Sequence, residues 1–162
     1  MSVTTTGDAI AAVTTHHRHL RAAVDQRVDV LAAAARAGEP HQPAVHDLHQ
    51  LLTTEVAPHA RAEEEVLYAA AGPTLRPLVA GMIFEHETLR QLIAELDPAP
   101  DAADAVGVAR AIREIFTGHV RRENELLLPA LAADPGVDLV MLLPVMERRF
   151  AEYQAAATAQ PS

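Results

Sequence analysis

Proline and glycine cut this chain into lengths that helices fill. Gly38, Pro40 and Pro43, then Gly72-Pro73, then Pro98 and Pro100, then Pro135-Gly136 form four clusters, and no stretch between them alternates apolar and polar residues long enough to suggest a strand. Five segments are predicted. The first runs from Ala9, with Asp8 as N-cap, to Ala37, with Gly38 in the stop position. The second runs from Pro43, suited to a first helical turn, to Ala71. The third covers Thr74 to Leu96, the fourth Asp104 to Leu131, and the fifth Val137 to Ala157. Short connections join antiparallel neighbours, so the first four segments make an up-down-up-down four-helix bundle, with the fifth packed on it or extending it. The expected fold class is all-α. Pro58, Pro129 and Pro144 fall inside or near the ends of helical patterns and are expected to kink or open them, since proline lacks the amide donor and crowds the preceding turn.

Composition agrees. A chain of 162 residues, 49% hydrophobic and 22% charged, suits one domain with a core, and an aromatic content of 3% leaves that core to Leu, Val, Ile and Ala. All thirteen basic residues are Arg, the net charge is −9, and no basic stripe is available for a phosphate backbone, so no nucleic-acid partner is expected. With no Cys, any metal site must use His, Asp and Glu. The stretch Met1 to Asp8 is polar and no apolar run reaches the roughly 20 residues of a membrane span, so no membrane partner and a cytoplasmic location are expected.

Nine of the residues are His, and some recur in order. His59 and Glu63, and again His119 and Glu123, stand four apart, which on a helix stacks them on one face. Chance supplies about one such pair in a chain this rich in His and Glu, so spacing alone is weak. Alignment of His59 with His119 also matches Arg61 with Arg121, Glu65 with Glu125, Leu67 with Leu127 and Ala70 with Ala130. Upstream of each pair stands His-x-x-Leu-Arg, at His17 and at His86. The order HxxLR, HxxxE, HxxLR, HxxxE describes two similar hairpins that together offer four His and two Glu. Counting along the helices from each connection puts these residues within about one turn of a common level. His16 competes with His17 for the first position, and the repeat register selects His17.

In motif order, spacing and flanking residues the chain resembles the hemerythrin-like family, the HHE cation-binding domains, over residues 8–131, with 137–157 outside. The segments Glu63 to Tyr68 and Leu126 to Leu131 share the family's wording after each pair. The resemblance implies a four-helix bundle with a non-haem di-iron centre: two oxo- or hydroxo-bridged Fe ions, held by His17, His59, Glu63, His86, His119 and Glu123. Zn or Mn suits the same imidazole and carboxylate ligands. Two departures point away from reversible oxygen carriage: Met82 stands where carriers place another His, and the last motif is HxxxE in place of HxxxxD.

The expected function is binding or turnover of a small diatomic or peroxidic ligand, O2, NO or H2O2, with no catalytic residue separate from the metals. The alternatives are an iron- or oxygen-sensing or iron-storage module without turnover, and a helical interaction protein with an incidental metal. Glu55, Met82, Phe116 and Tyr68 are candidates for the pocket or for orienting a ligand. His19, His41, His46 and His49 have no counterpart in the repeat and read as exposed or loop residues. Glu64, Glu65, Glu125, Arg61 and Arg121 read as a solvated face.

Overall fold

The computed structural model describes residues 4–159; Met1 to Val3 of the polar N-terminal stretch and residues 160–162 lie outside it. Seven α-helical pieces follow one another: α1 (Thr6–Ala37), α2 (Gln42–Leu51), α3 (Ala57–Glu63), α4 (Arg76–Leu96), α5 (Ala102–Arg122), α6 (Leu128–Ala133) and α7 (Leu139–Thr158). Among the described residues there is no strand. A π turn at Leu52–Val56 joins α2 to α3, another at Glu64–Tyr68 extends α3, and a third at Glu123–Leu127 joins α5 to α6. Four rods result, and the bundle closes because α1 lies against α2 and α5 while α4 lies against α5. Helix α7 packs along α3 and α1. No helix of the described residues is long and apolar enough to cross a membrane.

The helix ends are set by side chains, two of them displaced from expectation. Thr5, not Asp8, caps α1: its hydroxyl accepts from the Asp8 amide at 3.1 Å while the Asp8 carboxylate accepts from the Thr5 amide at 3.0 Å. Asp8 therefore serves as the third-residue half of a capping box, which starts the helix three residues earlier. Asp101 caps α5 by accepting from Ala103 and Asp104, again ahead of the expected start. Gly38 ends α1 as expected, at φ 69°, where a Cβ would be strained.

Two of the three prolines open their rods as expected, and they do so as π turns. Ahead of Pro58 the Ala57 amide reaches five residues back to the Leu52 carbonyl, and ahead of Pro129 the Leu128 amide does the same to Glu123. Thr53 and Thr54 hydroxyls donate to the carbonyls of His49 and Gln50 at 2.9 and 2.8 Å, giving those groups partners where the ladder widens. Pro144 differs: α7 runs through it from Leu139 to Thr158 without an interruption of the helix.

Two apolar clusters fill the bundle. One gathers Leu20, Val24, Leu52, Val56, Leu89, Ile112, Phe116 and Val120; the other gathers Val13, Ala62, Leu67, Tyr68, Met82, Leu127 and the α7 residues Leu143 and Met146. Between them, along each rod, stand polar residues: His17 between Val13 and Leu20, His59 between Val56 and Ala62, and His86 between Met82 and Leu89.

Candidate metal centre

That polar layer is buried. His17, His59, Glu63, His86, His119 and Glu123 are each between 1% and 3% exposed. Ionisable groups removed from water this completely cost several kcal/mol each unless they are paired or hold a cation, so their mutual geometry matters.

The six converge. Nε2 of His17 and Nε2 of His59 are 3.0 Å apart, and each approaches Glu63 Oε1, at 3.0 and 2.9 Å. Nε2 of His86 and Nε2 of His119 are 2.9 Å apart, with Glu63 Oε2 at 3.8 Å from His86. Glu63 thus turns one oxygen to each pair of rings. Two three-residue groups follow, His17-His59-Glu63 and Glu63-His86-His119, whose ligand atoms lie within 4.8 Å of one another. Glu123 Oε2 lies 3.4 Å from His17 and 3.5 Å from His119, and it has no hydrogen-bond partner among the described residues. Nitrogens about 2.0–2.1 Å from a shared ion and at right angles stand about 2.9 Å apart, the spacing seen within each pair. A buried carboxylate oxygen without a donor and two close pairs of imidazole nitrogens fit a cation site.

What lies behind the rings sets their direction. Nδ1 of His17 donates to Asn124 Oδ1 at 2.9 Å, Nδ1 of His86 to Glu64 Oε1 at 2.8 Å, and Nδ1 of His119 to Glu85 Oε2 at 3.0 Å. Each bond commits Nδ1 as the donor and leaves Nε2 free to face the centre. Arg90 holds Glu64 at 3.1 Å and Arg122 pairs with Glu85. His59 is set by rings instead, His16 at 4.6 Å and Phe150 at 5.9 Å between centroids.

These backing groups obey the repeat. Glu64 and Asn124 both follow the motif glutamate, and each backs the first-helix His of the opposite hairpin. Glu85 and His16 both precede that first-helix His, and each meets the motif His of its own hairpin. The positions are equivalent; the chemistry is not.

The electrostatics follow from burial and the two carboxylates. Burial pulls the His17 ring down, but the hydrogen bond and charge of Glu63, with Glu123 and Asn124, outweigh it and push the group up to about 9. Burial opposes the rise of His119 in the same way, and Glu123, Glu63 and Glu85 prevail. Burial would raise Glu63, yet His59 and His17 hold it well below the usual carboxylate range. His16 behaves oppositely: burial, then the neighbouring His59 and His17, pull it down to about 4. Protons on these nitrogens are what a cation would displace.

Comparison with known proteins settles the family. The model of the Hemerythrin HHE cation binding domain matches residues 8–131. The chain belongs to the hemerythrin HHE family. Comparison with curated proteins and with solved structures returns no match. In this hemerythrin-family chain the matched stretch contains all six converging residues, and α7, which contributes Phe150, lies outside it.

Of the other candidates, Tyr68 enters the site. Its hydroxyl donates to Glu123 Oε1 at 2.5 Å and its ring stacks on His86 at 5.6 Å. The π turn carries it there: five residues on from Glu63, a π turn returns a side chain near the starting face, where an α-helix would turn it well away. Burial and the charges of Glu63 and Glu123 raise its pKa, so it remains a phenol. Met82 is buried in the apolar cluster one turn from His86, and Phe116 lies in the other cluster. Glu55 stays half-buried in the first π turn and forms no hydrogen bond or ion pair among the described residues. Glu64 corrects the sequence reading: it is a half-buried acceptor for His86, not part of a solvated face, while Glu65, Glu125, Arg61 and Arg121 are exposed as expected. Glu85 and Asn124 are not marked by the sequence motifs, since only the fold brings them behind His119 and His17. His19 and His46 are exposed, His41 stands at the N-cap position of α2 without a capping side-chain bond, and His49 is half-buried on α2; none joins the centre.

Proposed function

We propose that the chain is a non-haem di-iron protein that binds or turns over a small uncharged ligand, O2, NO or H2O2, with His17, His59, Glu63, His86, His119 and Glu123 as ligands. The observation that carries this reading is the division of Glu63, one carboxylate oxygen toward each pair of imidazoles, which suits two adjacent cations better than one. Four imidazoles and two carboxylates suit iron, and bound iron would supply the redox change and open coordination positions.

The chain supplies the surroundings. Asn124, Glu64 and Glu85 hold three rings in the tautomer and orientation a cation needs. Tyr68 holds a proton at the edge of the site, on the oxygen that donates to Glu123. Met82 and the two apolar clusters keep water from the flanks, and Met82 itself is a poor ligand for hard ferric iron.

Metal analysis of the purified protein, followed by mixing of the iron-loaded form with H2O2 or NO, tests the reading. About two Fe per chain and consumption of either reagent are expected. A native content of Zn, or about one metal per chain, contradicts the di-iron reading, and two Fe without turnover favours the sensing or storage alternative.

A further inference from the structure

The two hairpins differ at the position just before the first-helix His, and in the first hairpin a cavity lies beside it. In the second hairpin Glu85, just before His86, occupies its place with a hydrogen bond to His119 and an ion pair to Arg122. In the first hairpin the equivalent residue is His16, and its ring lies beside a cavity of about 130 Å³ between α1, α3 and α7. The walls are apolar, formed by Ala12, Val13, Leu143, Met146 and Phe150, with the His59 ring on one side and Glu147 on another. The one buried polar atom in its walls without a partner among the described residues is His16 Nε2.

Size and chemistry narrow what such a space holds. One water needs about 10–15 Å³ on the same measure, so the cavity accepts a molecule of several heavy atoms. Apolar walls favour an apolar body, and an unpartnered imidazole nitrogen favours one hydroxyl or hydroperoxy end. Glu147, in a chain of net charge −9, disfavours anions. Two larger clefts, around Arg61 and Arg90 and around Arg18 and Asn124, have no converging imidazole in their walls.

We propose that this cavity is a binding pocket for a small uncharged molecule with an apolar body and a single hydroxyl or hydroperoxy end, the end held by His16 Nε2 and the body against Met146 and Phe150. The pocket deepens the di-iron reading and rests on it only for its purpose, since it places the ligand against the His59 ring. Its outer wall is α7, which lies outside the family match.

The test uses tert-butanol, which is inert, and pivalate, which has the same shape with a carboxylate. In zinc-loaded protein, NMR of the imidazoles should show a saturable shift at His16 with tert-butanol and none at His19 or His46. Pivalate should bind at least tenfold more weakly. Ala12→Phe, which fills the cavity from α1 and replaces neither a candidate ligand nor His16, should weaken tert-butanol at least tenfold while zinc content stays at the parental level; His16→Leu should weaken the alcohol more than it weakens a hydrocarbon of equal size. An unmoved His16, an Ala12→Phe variant that binds like the parent, or pivalate binding as tightly as the alcohol overturns the pocket. The same titration on metal-free protein separates the two readings. A His16 shift in protein that takes up no metal keeps the pocket and rejects the metal centre; normal metal content with no shift does the reverse.

Discussion

The second hairpin backs its imidazoles with charge and the first does not. His86 and His119 donate to Glu64 and Glu85, each held by an arginine, whereas His17 donates to the neutral amide of Asn124 and His59 rests against His16 and Phe150. A carboxylate behind a ring both orients it and makes it a stronger donor; an amide orients it with less charge. Duplicated ligands therefore need not make equivalent subsites. On this reading the His86-His119 subsite holds its cation more tightly, and the His17-His59 subsite, beside the cavity, is the looser one.

The largest effect should come from the residue both halves share. Glu63→Ala is expected to lose both ions, measured as metal content after dialysis, because one carboxylate serves the two groups; retention of one full equivalent would show that the halves do not share it. Next, His17→Ala should lose the first-hairpin ion while His16→Ala keeps both, and the opposite result would place the register one residue away. Glu85→Gln should weaken the second subsite by roughly 10–100-fold in a metal titration, the usual consequence of removing a group that orients a ligand. Asn124→Asp should act the other way, narrowing the gap between the halves by giving His17 the carboxylate that His86 already has. Equal affinities in the parent would break the comparison outright.

The smallest effect concerns pH. His17 is raised from 6.5 to about 9, so in metal-free protein its contribution to stability is full below 6.5 and is lost as pH rises through 9. Thermal unfolding of metal-free protein should therefore fall in temperature across that window, while the loaded protein, whose nitrogens carry no proton there, should not follow. Parallel curves for the two forms would contradict the assignment.

Much of this was legible in the sequence, for reasons that can be stated. The five helical segments follow from Pro and Gly punctuation, and the six converging residues follow from a repeat, because spacing along a helix is a local property. The backing groups are another matter. Glu64 sits beside two more glutamates and reads as surface, and only packing against α4 puts it behind His86. Glu85 and Asn124 each adjoin a motif residue and occupy repeat-equivalent positions to His16 and Glu64, but the residue types differ between the two repeats, so matching identical residues does not raise them. The π turns are hardest to foresee. Pro58 and Pro129 signal two of them, but the turn at Glu64–Tyr68 has no proline, and without it the inward path of Tyr68 cannot be inferred. The start of α1 is hidden in the sequence because Thr5 and Asp8 satisfy each other, and an acidic residue taken alone reads as the cap in place of its partner.

Whether Glu63 joins two cations is decided by an anaerobic titration of metal-free protein with ferrous iron, followed by equilibrium dialysis. Saturation near two Fe per chain is expected, reached in two steps of unequal affinity, with both steps absent in Glu63→Ala. Saturation at one Fe per chain, or two steps that survive in Glu63→Ala, would contradict it.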